Sequence, residues 1–292
     1  MRASIQWAML VAVVAALGIA CSVRTRRVTA PDALPPAQNA TREDLIREFN
    51  RLAAAVHSLT ASLELQATVG SAYSGLIEEY REVGGFLLAQ RPSSIRVIGQ
   101  APVVGKNIFD MVSDAQTFRI FIPSRNKFLI GQATGPGTSE KAIENLRPQH
   151  LLDALFWQEL PDPPRILLEE FDAPPHRYYV LTALRPASAD AAWEIERKLW
   201  FDRTDLSLVR LQHFGAAGRR LADIRYAEWR AVAGVRFPHW IRLERPREDY
   251  QLTLRLNRLR LNEAIAAERF RLEQPPGTEL VRVGDSGDGA GR

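Results

Sequence analysis

The sequence predicts a mainly β fold with some α: a curled antiparallel sheet of more than ten strands, an unclosed half-barrel, covered by an N-terminal helix and a short helical lid. Three observations predict it. From Ser62 almost to the end, apolar residues recur with a period of two or in short runs. One amphipathic helical stretch precedes this region, and one apolar interruption over 132–164 divides it. That many strands joined by short turns make a sheet large enough to curl.

The helix comes first. Thr41-Arg42-Glu43-Asp44 has the form of a capping box, and Leu45, Phe49, Leu52, Val56 and Leu59 follow at helical spacing, which predicts a helix over about 42–58. Strands are then expected over 60–69, 77–90, 94–101, 107–113, 117–122 and 126–131. The interruption opens on QATGPGTSE and continues into KAIENL and RPQHLLDALFWQEL, with Pro148 at a first helical position. It predicts two short helices, with Ile143, Leu146, Leu151, Leu152, Leu155, Phe156 and Trp157 as the apolar surface of a lid.

Strands resume over 166–171 and 177–184. In WEIERKLWFD, Trp193, Ile195, Leu199 and Phe201 fall on one face and Glu194, Glu196, Lys198 and Asp202 on the other. Further strands are expected over 206–214 and 220–230. VRFPHWIRL alternates likewise, but Pro238 confines it to an edge or a bulge. In YQLTLRLNRLRLN the leucines at 252, 254 and 256 change phase to 259 and 261, which a β-bulge near Asn257-Arg258 would correct.

The chain has 292 residues, one cysteine, and 38 basic against 34 acidic side chains. The lone Cys21 rules out an intramolecular disulfide. Basic residues are scattered singly rather than striped among aromatics, so nucleic acid is not an expected partner. Residues 3–20 are uncharged, and Leu17-Gly18-Ile19-Ala20-Cys21 resembles a bacterial lipobox, departing from it at Gly18. The resemblance implies lipidation of Cys21 and attachment to a membrane through an N-terminal lipid. Arg24, Arg26 and Arg27 after the apolar run favour the alternative of an uncleaved inner-membrane signal anchor. The expected organisation is a signal peptide over 1–20, the lipidated cysteine and a proline-containing tether over 21–40, one domain over 41–283, and a disordered tail over 284–292.

Catalytic signals are missing from the sequence. No two of His57, His150, His176, His213 and His239 stand three or four apart, which removes HExxH-type metal sites, and no GxSxG, Walker or GxGxxG motif occurs. No enzyme activity, metal or cofactor is expected. What stands out is apolar surface. A curled sheet has a concave side that three short helices cover only in part, leaving a hollow suited to alkyl chains at about 0.8 kcal/mol per buried CH₂. The opposite reading, helices packed permanently on a full core, is equally open at this point.

Several stretches carry a family resemblance. Gly85-Phe86-Leu87-Leu88-Ala89-Gln90-Arg91-Pro92-Ser93-Ser94-Ile95-Arg96 looks like a strand, Arg-Pro, next-strand signature. Val112-Ser113-Asp114-Ala115-Gln116-Thr117-Phe118 is similar to an Asp-Gly hairpin with Ala115 replacing the glycine. Leu261-Asn262, Phe270-Arg271-Leu272 and Pro275-Pro276-Gly277 are similar to a closing strand with a Pro-Pro-Gly ending. In this order over 42–277 they resemble the Lol lipoprotein-carrier superfamily (LolA and LolB). The resemblance implies an acyl-binding concave face, and Arg91 as a latch that holds the lid through backbone carbonyls. It also implies an outer-membrane protein, anchored on the periplasmic side, that passes acyl chains of lipoproteins or lipids to that membrane. An envelope assembly lipoprotein, using the same fold to bind protein partners, is the alternative.

Overall fold

A computed structural model describes residues 36–71, 76–101, 105–133, 147–160, 165–187 and 192–283. Helix α1 (Arg42–Ala54) opens the fold, and its capping box is present: the Thr41 hydroxyl accepts from the Asp44 N–H while the Asp44 carboxylate accepts from the Thr41 N–H. The helix ends earlier than its apolar spacing suggests. Val56 and Leu59 are buried all the same, Val56 in the turn after the helix and Leu59 in the first strand.

Fifteen strands follow among the described residues: β1 (Ser58–Ser71), β2 (Leu76–Glu79), β3 (Val83–Gln90), β4 (Ser94–Gln100), β5 (Asn107–Ser113), β6 (Thr117–Ile122), β7 (Lys127–Gln132), β8 (Ile166–Ala173), β9 (His176–Pro186), β10 (Trp193–Asp202), β11 (Leu208–Phe214), β12 (Arg220–Val232), β13 (Val235–Arg245), β14 (Tyr250–Leu261) and β15 (Glu279–Val283). Helix α2 (Pro148–Leu155) lies between β7 and β8, with Pro148 in its first turn. All strands belong to one sheet, ordered β15-β7-β6-β5-β4-β3-β1-β14-β13-β12-β11-β10-β9-β8, with β2 pairing beside β1. The end strands β15 and β8 do not meet, so the barrel is unclosed, as expected.

Three details differ from the sequence reading. The stretch 77–90 is two strands, broken at Tyr80–Glu82. β15 was not anticipated, and it pairs parallel to β7, the one parallel pairing in the sheet as described. Trp193 does not share a face with Leu199: one extra residue in β10 between Ile195 and Arg197 inverts the alternation, and Trp193 is 54% exposed.

Other expectations hold. Thr60 faces Arg260 and Ser62 faces Asn257, so β14 carries the extra residue where the leucine phase requires it. Arg258 takes a positive φ of 48° there, and all five leucines of β14 are buried. Pro238 lies inside the strand order but at a local edge, because β14 pairs only with Trp240–Arg245 of β13. Asp114 closes its hairpin without a glycine by accepting from the Gln116 and Thr117 N–H groups, both at 2.8 Å.

Before the helix, the Gln38 N–H donates to the Arg203 carbonyl (2.7 Å) and its side-chain amide to the Thr204 carbonyl (2.9 Å). The chain is therefore fastened to the β10–β11 turn from Gln38 onward. Core residues line one face of the curled sheet, with Leu45, Ile46, Phe49 and Ala53 of α1 packed into the same cluster.

Candidate functional site

The candidate site is the concave face of the sheet and the segment Pro148–Leu160 that roofs it. Rows of cross-strand neighbours give the face its character. One row runs through Leu181, Leu199, Leu211, Ile224, Leu243 and Leu252, all buried. Onto this surface the roof segment presents Leu151, Leu152, Leu155, Phe156 and Trp157, every one buried. Trp157, 2% exposed, is the centre of the contact. Its ring lies 5.6 Å from Tyr226, 5.9 Å from Trp229, 5.6 Å from Phe237 and 6.4 Å from Phe49, and its indole N–H donates to the Tyr226 hydroxyl at 2.9 Å. The Tyr226 hydroxyl in turn donates to the Ala154 carbonyl (3.1 Å).

Further polar ties hold the exit of the roof. Arg91, at the end of β3, donates through Nη2 to the Trp157 carbonyl (2.7 Å) and the Ala53 carbonyl (2.9 Å), and through Nε to the Val56 carbonyl (2.9 Å). Its guanidinium also lies 5.2 Å from the Phe156 ring centre. One side chain thus joins the end of α1 to the end of the roof, using donors that leave helix-end carbonyls satisfied.

Arg197 of β10 was missed from sequence. It is 5% exposed, faces the core, and donates to the Gln158 carbonyl (2.7 Å) and the Glu159 carbonyl (2.6 Å). The signal was available: position 197 shares its parity with the buried residues 199 and 201, so the same period-2 pattern places an arginine inward. Asn50 of α1 completes the set, donating to the Leu160 carbonyl (3.3 Å) and accepting from its N–H (2.7 Å). The backbone of residues 157–160 is therefore held by three side chains from separate parts of the fold.

Of the candidate residues, Leu151, Leu152, Leu155, Phe156, Trp157 and Arg91 meet in this one place. Ile143, Leu146 and Cys21 lie outside the described residues, as does the expected first lid helix. Among the described residues no group of three or more His, Cys, Asp and Glu is placed to hold a metal ion, and no helix is long and apolar enough to cross a membrane.

Two histidines belong to the site. His150 of α2 hydrogen-bonds the Tyr250 hydroxyl through Nδ1, and burial, followed by Arg245 and Arg147, pushes its pKa down to about 3. His213 of β11 is pushed down to about 4 by burial and then by Arg197 and Arg245. Both rings are therefore neutral in the folded protein at pH 7. An unfolded histidine takes its proton near pH 6.5, so below that pH the unfolded chain binds more protons and stability falls. For His213 the loss begins at about pH 6.5 and is complete near pH 4, where the folded ring also charges. His213→Gln is expected to flatten the fall of the urea midpoint across that window, and an unchanged slope would contradict the assignment.

Comparison with known proteins is confined to fold. No protein-family model matches the chain, and no curated protein matches it. Among solved structures, a DUF1329 family protein from Desulfovibrio piger is similar at 13% identity with a TM-score of 0.52, covering 78% of this chain and 95% of that one. A LolA superfamily protein from Nitrosomonas europaea is similar at 11% identity with a TM-score of 0.46, covering 80% of this chain and 99% of that one.

Proposed function

We propose that this protein is a non-catalytic, lipid-anchored envelope carrier that takes acyl chains of a lipoprotein or lipid onto its concave face and passes them to the outer membrane. One observation carries the reading: the roof covers an apolar surface with five apolar side chains of its own, Leu151, Leu152, Leu155, Phe156 and Trp157, while its exit is tied down by polar bonds from Arg91, Arg197 and Asn50. Apolar attraction is non-directional, so a hydrocarbon chain of similar area can take the place of those side chains.

The apolar magnitudes alone permit exchange, with the polar bonds from Arg91, Arg197 and Asn50 added on the side of closure. Five such side chains are worth about 8–15 kcal/mol of burial. A fully enclosed 16-carbon chain gains roughly 12 kcal/mol. The two nearly offset, which suits a carrier that must also release. In this reading Cys21 holds the domain at the periplasmic side of the outer membrane, and Arg91 is the latch of the roof.

The competing reading, an assembly lipoprotein that binds protein partners with a filled core, is favoured by the depth at which Trp157 already sits. Titration of residues 36–292, which cluster as one compact unit, with a fluorescent fatty acid separates the two. The carrier reading expects saturable binding that changes on Leu152→Glu. An absence of saturable binding would contradict it.

A further inference from the structure

The apolar rows of the concave face end in a row of different chemistry. Arg197 pairs across the strands with Ala183 on one side and His213 on the other, and His213 pairs with Ala222. Asp223 opposite Glu244 places Ala222 beside Arg245, which pairs with Tyr250. This row therefore sets Arg197, His213 and Arg245 on the core face, with the small side chains of Ala183 and Ala222 between and beside them. From above, α2 adds His150, bonded to Tyr250, and the preceding Arg147 is buried next to it.

Two polar atoms in this row are buried without a hydrogen-bond partner: Arg197 Nε and His213 Nε2. Such atoms are rare in folded proteins, because each costs about the free energy of a lost hydrogen bond. The carboxylates nearby do not satisfy them. Glu196 stands 3.9 Å from Arg197 Nε, beyond hydrogen-bond distance, and Glu248 is engaged by Arg245 at 2.8 Å. Asp153 of α2, whose carboxyl is pushed up by burial and acts on Arg245, makes no hydrogen bond to either atom.

We infer that this row is the site for the anionic end, carboxylate or phosphate, of an amphiphile whose hydrocarbon chain lies along the apolar rows. The inference rests on the acyl-carrier reading and adds a head-group preference to it. An anion brought under the roof loses its hydration and needs compensating donors. Arg197 Nε and, in its Nε2–H tautomer, the His213 ring supply donors already inside the fold, while Arg245, paired with Glu248, borders them. Ala183 and Ala222, both buried, put the smallest side chains of the row beside these donors.

The test compares three amphiphiles with one 16-carbon chain each: palmitate, 1-palmitoyl lysophosphatidate and the uncharged hexadecan-1-ol, titrated calorimetrically into residues 36–292. At least one of the anionic pair is expected to bind about tenfold more tightly than the alcohol, the size of one charge-assisted hydrogen bond, and whichever is tighter identifies the head group. His213→Leu and, separately, Arg245→Met are expected to reduce that preference to less than threefold. Equal affinity of all three for the wild-type protein would overturn the head-group site and leave the carrier reading standing. Failure of all three to bind would overturn both.

Discussion

Arg91→Leu is expected to raise the apparent affinity for palmitate about tenfold, chiefly through slower release. Arg91 supplies a charge-assisted bond from the fold to the Trp157 carbonyl at 2.7 Å. Bonds of that kind contribute about 1.5–3 kcal/mol, and here the contribution exists only when the roof is closed. A ligand that needs the open state binds with an affinity reduced by the fraction of molecules that are open. Removing about 1.5 kcal/mol from closure enlarges that fraction about tenfold. In the proposed carrier, release slows because the returning roof displaces the chain. Arg91 also caps the Ala53 and Val56 carbonyls, so the thermal midpoint is expected to fall as well. Arg91→Lys separates the two effects, since an ammonium cannot span all three carbonyls in the fixed geometry of the guanidinium fork. Stopped-flow release of a fluorescent fatty acid gives the decisive number. Wild-type release kinetics in Arg91→Leu would remove the latch role.

Trp157→Ala is the larger perturbation. The indole is packed among four aromatic rings and hydrogen-bonded to Tyr226, and truncating a buried tryptophan costs about 3–5 kcal/mol. The Tyr226 hydroxyl, whose pKa is raised mainly by burial, is left without the indole donor in an apolar setting. If the roof opens as a unit, the loss falls on roof closure rather than on the sheet. Amides within 148–160 are then expected to exchange at least a hundredfold faster in the variant, while α1 and β12 to β14 keep their protection. A uniform loss of protection throughout the domain would instead make the roof an inseparable part of the core.

Much of this arrangement is legible in the sequence because its physics is local. The capping box at Thr41 is four residues long, and the bulge in β14 shows as a phase change among five leucines of one strand. The paired leucines of α2 declare an apolar surface within two turns. Arg197 was legible in the same way, as the charged member of an inward-facing series. What escaped depends on partners distant in the chain. Trp193 follows the pattern of Leu199 in sequence, and only the pairing of Ile195 with Leu184 and of Arg197 with Ala183 reveals the extra residue that turns it outward. β15 is five residues long and pairs with a strand some 150 positions earlier, as Leu280 opposite Phe128 shows. The row joining Arg197, His213 and Arg245 draws on three strands, so no window of sequence contains it.

Beneath both predictions lies a single claim, that hydrocarbon and roof compete for the same concave surface. Hydrogen exchange of residues 148–160, followed in residues 36–292 with and without saturating palmitate, addresses it without any substitution. The account predicts that bound palmitate speeds exchange in the roof while protection of α1 and of β12 to β14 is kept or increased. Palmitate bound at saturation with the roof amides as protected as before would contradict it.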